Sequence, residues 1–211
     1  MNAAADAKAA AKGPRSTSPR RIGAETSKTR AELLDAAERV MLSEGYAAVT
    51  SRRVAAEAGL KPQLVHYYFR TMDDLFLALY RRRADQGLER GRQALLADQP
   101  LWALWELSRE ARGTSLTMEF VALGNHRKAI RAEIMSSAER FRADQLTAVR
   151  SVFERYDVDT NRYPPMVCTV LMTAISQFLV IEQEMLGMST GHAEVVAFVE
   201  EFLTSMEGAR R

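Results

Sequence analysis

The side chains best suited to chemistry in this sequence cluster between residues 50 and 71, and the chemistry is recognition rather than bond-making. Gln63, His66 and Tyr67 recur at i, i+3, i+4, so on a helix they share one face and present an amide, an imidazole and a phenol. Val65, Tyr68 and Phe69 repeat the same spacing on the other side and are apolar enough to hold that helix against a partner. An amide can pair bidentately with adenine in a major groove, and Leu64, at the edge of the face, can touch a thymine methyl. Arg52, Arg53, Lys61 and Arg70 surround the face with the cations that a phosphate backbone attracts. Thr50, Ser51 and Thr71 add hydroxyls at its borders.

Short helices must position this set. Ala55, Ala56 and Ala58 leave room for a second helix to cross closely, Gly59 supplies a left-handed stop, and Pro62 sits where a new helix over residues 62–69 can begin. Upstream, Thr29 and Glu32 have the spacing of a capping box, Leu33, Leu34, Ala37, Val40 and Met41 form an apolar stripe, and Gly45 ends that helix. Thr50 is a good N-cap for the next one. Downstream, Thr71 caps a long helix with Asp73 and Asp74 in its first turn; it runs through Leu75, Phe76, Leu79, Arg81, Arg82 and Arg83 to about Leu96.

A helix-turn-helix alone is a common packing unit. The run AAERVMLSEGYAAVTSRRVAAEAGLKPQLVHYYFRTMDDLFLALY says more, because it resembles the DNA-binding domain of TetR-family transcriptional regulators over roughly residues 30–80. The match includes Gly45-Tyr46, Thr50, the Ala58-Gly59-Leu60 turn, the aromatic run closing in Tyr68-Phe69, and Asp73-Asp74-Leu75. In that family the positions of His66 and Tyr67 grip phosphate, and histidine replaces the commoner tyrosine at 66. Relatives often carry an acid where this chain has Arg53, which here adds positive charge near the DNA. They often carry Lys or Arg where it has Met72, a role that Arg70 is expected to assume.

Net charge is only +2, but residues 1–70 hold twelve Lys or Arg against seven Asp or Glu, +5, leaving −3 for the remainder. A basic front and an acidic rear suit a chain whose front meets phosphate. Residues 1–25 lack periodicity and read as a flexible basic arm; Arg15, Arg20 and Arg21 would reach along DNA, though a simple solubilising tail fits as well. No apolar run of ~18–20 residues is evident, so no membrane contact is expected. Nor is there an apolar leader, and the lone Cys168 forms no internal disulfide, which fits a reducing cytoplasm.

Beyond Pro100 all segments read as helix, over residues 100–113, 114–124, 127–156, 165–186 and 191–207, with joints at Gly113, Gly124-Asn125, 161–165 and 187–191. The expected fold is all-α: an arm over 1–25, a helix-turn-helix domain over 26–75, and a helical domain over 76–211. Residues 166–181 are apolar nearly all round, and the last helix carries more than one apolar stripe. Val170, Phe178, Ile181, Val195, Phe198, Val199 and Phe202 are therefore expected at a homodimer interface, and the family resemblance implies a four-helix seam there. Trp102, Trp105, Met118, Phe120, Met135, Phe141 and Met172 make a large, soft apolar inventory, with Thr114, Ser115, Asn125, His126 and Gln177 as polar anchors for a small-molecule pocket. For each of these residues plain core is the competing role.

Catalysis finds no support. His66, His126 and His192 have no Cys, Asp or Glu at metal-ligand spacing, His192 reads as an exposed cap residue, Cys168 sits inside an apolar run, and no phosphate loop occurs. No catalytic residue, metal or cofactor is expected. What the resemblance implies is a cytoplasmic dimeric regulator, expected to act as a repressor, although the sequence itself does not fix the sign of regulation. It would bind a palindromic double-stranded operator and be released by a small apolar or amphipathic effector. The alternative is a dimeric DNA-binding protein whose rear helices serve only dimerisation or protein docking.

Overall fold

In the computed structural model, which describes residues 27–211, every regular element among the described residues is helical. The expected basic arm, with Arg15, Arg20 and Arg21, lies outside the described residues. Helix α1 (Lys28–Glu44) buries Leu33, Leu34, Ala37, Val40 and Met41, the stripe its periodicity dictates. It starts before the Thr29–Glu32 capping box. Ser27 is the N-cap, and its hydroxyl bonds the Tyr68 hydroxyl at 2.9 Å instead of a first-turn N–H. A tertiary bond takes the group that a local cap would use.

Gly45 ends α1, and a 3₁₀ turn (Tyr46–Ala48) leads to α2 (Ser51–Glu57), where Thr50 Oγ1 accepts from Arg53 N at 3.2 Å. Ala55 is fully buried and Ala58 partly so, but Ala56 is exposed, because one residue further round α2 points to solvent. Gly59 turns the chain at φ +66°, and Pro62 opens α3 (Pro62–Tyr68). A Cβ added at Gly59 meets nothing within 4 Å, so Gly59→Ala is expected to cost only conformational strain, roughly 1–2 kcal/mol. A urea midpoint unchanged by that substitution would show that the turn is not left-handed in solution.

Helix α4 (Met72–Leu95) opens with a reciprocal cap: Asp74 N donates to Thr71 Oγ1 at 3.1 Å and Thr71 N donates to Asp74 Oδ2 at 3.0 Å. There follow α5 (Pro100–Ser108), α6 (Ala111–His126), α7 (Lys128–Arg155), α8 (Pro165–Ile181) with a π-helical turn (Glu182–Leu186), and α9 (His192–Glu207). Two expected joints are not joints. The break falls at Arg109 and Glu110, so Gly113 lies in the first turn of α6. Gly124 is interior to α6, where a Cβ would sit 3.3 Å from Ile134 Cδ1 and 3.5 Å from Arg131 Cα, so this glycine lets α6 and α7 approach.

Apolar burial forms two clusters. The front one joins Leu33, Val40, Val54, Val65, Phe69, Leu75 and Leu79 to Leu116, Phe120 and Leu123 of α6 and Ile130 of α7. The rear one gathers Leu101, Trp102, Trp105, Val152, Phe153, Leu179, Val199 and Leu203. Helix α6 packs on α1 as well as on α7 and α8, so it contributes to the front cluster.

Candidate nucleic-acid interface and interior cavity

Helix α3 separates its two faces as its spacing demands. Val65 and Phe69 are buried and Tyr68 half-buried, while Gln63, His66 and Tyr67 are exposed and Leu64 lies between. The Tyr67 ring stands edge-on to Tyr68, 5.0 Å between centroids, which steadies the phenol. Thr50, Arg52, Lys61, Arg70 and Thr71 are also exposed, and Ser51 half-buried. The hydroxyls of Thr50 and Thr71 already accept cap bonds.

Arg53, expected to add charge to this face, is instead held by carboxylates. Its Nη2 lies 2.6 Å from Glu44 Oε1 and 3.0 Å from Glu57 Oε2, while Arg39 Nε donates to Glu57 Oε1 at 2.9 Å. Arg39 first and Arg53 second hold the Glu57 carboxyl below the usual carboxylate range. Arg53 contributes by neutralising two acids beside the face. Arg52, Lys61 and Arg70 form no ion pair among the described residues. Met72 packs against the front core and takes no part in the charged surface.

A cavity of about 700 Å³ opens among α4 to α9. Trp105, Phe120, Phe141, Met172 and Gln177 line it, as does Thr114; Trp102, Met118, Met135, Ser115, Asn125 and His126 do not. Trp102 is buried against the chain's end, its Nε1 donating to Gly208 O at 3.1 Å. Helix α6 turns Gly113, Leu116, Thr117 and Phe120 to the cavity, and position 118 falls off that stripe. Met135 is 55% exposed on α7, and His126 stacks on Tyr46 at 6.4 Å. Sequence reasoning missed the α4 wall of Tyr80, Arg83, Ala84, Gly87, Leu88 and Gly91, although its small residues repeat at helical spacing. Burial pushes the Tyr80 phenol and the Cys168 thiol up, so both lining groups stay protonated.

Helix α6 ties this cavity to the front helices. Tyr80 and Phe120 meet edge-on at 5.1 Å, and Phe120 belongs both to the cavity wall and to the front core. Tyr46 N donates to Glu119 Oε2 at 2.7 Å, and Arg127, just beyond α6, pairs with Asp73. Glu38 of α1, 4% exposed, accepts from Arg112 Nη2 at 2.8 Å and from Arg82 Nη2 at 3.3 Å.

Helices α8 and α9 leave an apolar face open. Val170, Phe178, Val195 and Phe198 are exposed, together with Val167 and Leu171, and Ile181 is half-buried. Val199 and Phe202 are not on that face. Val199 is 2% exposed, and Phe202 packs into the rear core beside Tyr163, because 199, 202 and 203 form the inward stripe of α9 and 195 and 198 the outward one. With its π turn, Pro165–Leu186 is long and apolar enough to cross a membrane by length and composition, mean hydropathy 1.6, which the expectation of no such run missed. One side of it packs on α5, α6 and α7. His192 is not a free cap residue: its Nε2 lies 2.9 Å from Glu182 Oε2, closing the α8–α9 loop.

Comparison with known proteins gives this geometry a context. Residues 33–79 match the family "Bacterial regulatory proteins, tetR family". The chain is 26% identical over 148 residues to the HTH-type transcriptional regulator BetI of Rhizobium meliloti, spanning 66% of this chain and 72% of that protein. It is 44% identical over 61 residues to BetI of Brucella anthropi, 29% of this chain and 31% of that protein. Among solved structures, a putative TetR-family transcriptional regulator from Rhodococcus sp. aligns at TM-score 0.67 and 16% identity, over 86% of this chain and 100% of that one. A putative regulator from Saccharomonospora viridis, solved in complex with choline, aligns at TM-score 0.58 and 21% identity, over 70% and 82%.

Proposed function

Because this chain is a TetR-family transcriptional regulator and not an enzyme, we propose that it represses from a palindromic operator as a homodimer and lets go when a small amphipathic effector enters the interior cavity. The observation that carries the reading is the α3 face: Gln63, His66 and Tyr67 exposed, backed by buried Val65 and Phe69, and flanked by Arg52, Lys61 and Arg70 without ion-pair partners among the described residues. In this reading Gln63 and Leu64 read base edges. His66, Tyr67, Arg52, Lys61 and Arg70, with the border hydroxyls of Thr50, Ser51 and Thr71, hold phosphates. Exposed Val170, Phe178, Val195 and Phe198 form the seam between two copies, with Ile181 at its edge. The protein works in the cytoplasm, where its DNA is.

Effector binding would act through α4 and α6. The two reading heads must match half-sites about 34 Å apart, so a small tilt of α4 spoils the fit. A rear domain that only dimerises is the alternative, and a cavity of about 700 Å³ that shares Phe120 with the front core speaks for the effector. The choline complex belongs to a neighbour similar in fold, so the effector class has to be argued from this cavity's own walls.

The reading head has a direct test. Gln63→Ala is expected to cost roughly 1–3 kcal/mol on the cognate site and to relax preference at one base pair. Lys61→Ala is expected to weaken all sequences alike and to lower the salt slope by about one phosphate contact. Affinities for single-base operator variants at two salt concentrations separate the two. Base preferences unchanged by Gln63→Ala would move base readout to another residue of α3.

A further inference from the structure

The polar groups of the cavity are not balanced. Arg83 lines it with a side chain only 18% exposed, donating from Nη1 to Gln86 Oε1 at 3.2 Å. Its nearest carboxylate oxygen, Glu38 Oε1, is 3.8 Å away, and that oxygen already accepts from Nε and Nη2 of Arg112 at 3.1 and 2.8 Å. Arg82, Arg83 and Arg112 thus share two carboxylates, Asp35 and Glu38, which leaves one positive charge uncovered. Of the three arginines, Arg83 alone lines the cavity. Burial first, and then the like charges of Arg90, Arg112 and Arg82, pull the Arg83 guanidinium down from its usual range despite Glu38; the site as it stands penalises this charge.

An unpartnered hydroxyl stands on the same α4–α6 side. Thr114 is 6% exposed and lines the cavity, yet its Oγ1 has no hydrogen bond among the described residues. The other two buried hydroxyls of the lining return to their own helix: Thr169 Oγ1 donates to Pro165 O and Ser176 Oγ to Met172 O, each at 2.8 Å. The Thr114 oxygen is open to the cavity, whereas the lining donor that is buried without a partner among the described residues is Trp105 Nε1; a guest that meets either gains a hydrogen bond.

We propose that the effector is an amphipathic anion, a small carboxylate with an apolar body, its head held by Arg83 and Thr114 and its body by Trp105, Phe120 and Phe153. The proposal rests on reading the cavity as the effector site. The remaining lining charges do not compete for the head. Arg90 pairs with Glu110, Arg92 lies 3.9 Å from Glu89, and Asp144 is exposed, where water screens it. Drawing Arg83 to a ligand takes it from Glu38, which Arg112 and Arg82 then hold alone. The head group thereby reaches the network that joins α1, α4 and α6.

Three probes of one chain length decide the head group: octanoate, octan-1-ol and octyltrimethylammonium, titrated against the full chain by tryptophan fluorescence and operator release. Octanoate is expected to bind about tenfold more tightly than octanol, as one charge-assisted contact provides, with the ammonium weakest. Arg83→Gln should abolish that advantage, bringing octanoate down to the affinity of octanol. Thr114→Val, which leaves the ion cluster intact, should weaken octanoate by about fivefold, the scale of one hydrogen bond. Equal binding of octanol and octanoate, a preference for the ammonium, or octanoate affinity untouched by Thr114→Val overturns the anion assignment and leaves the effector reading standing. Silence from all three probes in both fluorescence and operator release brings down the effector reading of the cavity itself.

Discussion

Phe198→Glu, and separately Phe178→Glu, should convert the proposed homodimer into a monomer that keeps its helices. Phe198 is 72% exposed and Phe178 57% exposed in the single chain, so neither substitution opens a hole in the protomer. In a two-fold seam each residue occurs twice, and each copy would bury an unpaired carboxylate against Val170, Val195 and their neighbours. An uncompensated buried charge costs about 3–5 kcal/mol, and two per interface exceed what most micromolar dimers can lose. Sedimentation at micromolar protein should therefore show monomer, far-UV circular dichroism should be unchanged, and cooperative binding to a palindrome should be lost while weak half-site binding remains. Phe202→Glu is a poor choice for the same purpose, because Phe202 packs beside Tyr163 against the rear core and a carboxylate there would destabilise the protomer itself. A Phe198→Glu protein that stays dimeric with normal operator affinity removes α9 from the interface.

What could be read from residues alone was mostly local. The α2–α3 turn is visible in Gly59 and Pro62, because φ > 0 and a first-turn proline are constraints of single residues. The faces of α3 follow from spacing, and the reciprocal cap of α4 from Thr71 and Asp74. What escaped depends on partners far along the chain. Arg53 reads as added positive charge near the DNA until Glu44, nine positions back, and Glu57 take it. Ser27 becomes an N-cap with its hydroxyl spent on Tyr68. Gly124 is read as a joint, since nothing local tells a helix-ending glycine from one that Ile134 crowds. The apolar inventory of the rear helices is legible as such, but whether a residue faces the cavity, the core or a second copy depends on helix rotation. Position 198 differs from 199 by a single step of ~100°, and that step separates seam from core.

The second large effect is expected at Glu38. Its carboxylate is 4% exposed and takes hydrogen bonds from Arg112 and Arg82, with Arg83 at 3.8 Å. Glu38→Gln keeps the shape but removes the negative charge, leaving three guanidinia facing one another with only Asp35 nearby. Breaking a buried ion cluster by deleting one sign costs about 3–5 kcal/mol. Arg112 is 62% exposed and can turn to water, and Arg82 keeps Asp35 at 2.7 Å, so a loss near the lower end, about 3 kcal/mol, is expected. That is a large share of the roughly 5–15 kcal/mol that holds a typical domain together. Asp35→Asn is the control: that carboxylate is 56% exposed, and an exposed pair contributes about 1 kcal/mol or less. Chemical denaturation of the two variants should thus differ by roughly 2 kcal/mol, the difference between a buried and an exposed member of one cluster. Because Glu38 joins α1 to α4 and α6, its loss should also loosen α1 from α6, so operator affinity should fall even at temperatures where the variant is folded. Two variants of equal stability would mean that water already reaches the cluster and that α6 is held to the front helices by apolar packing and the Tyr46–Glu119 bond.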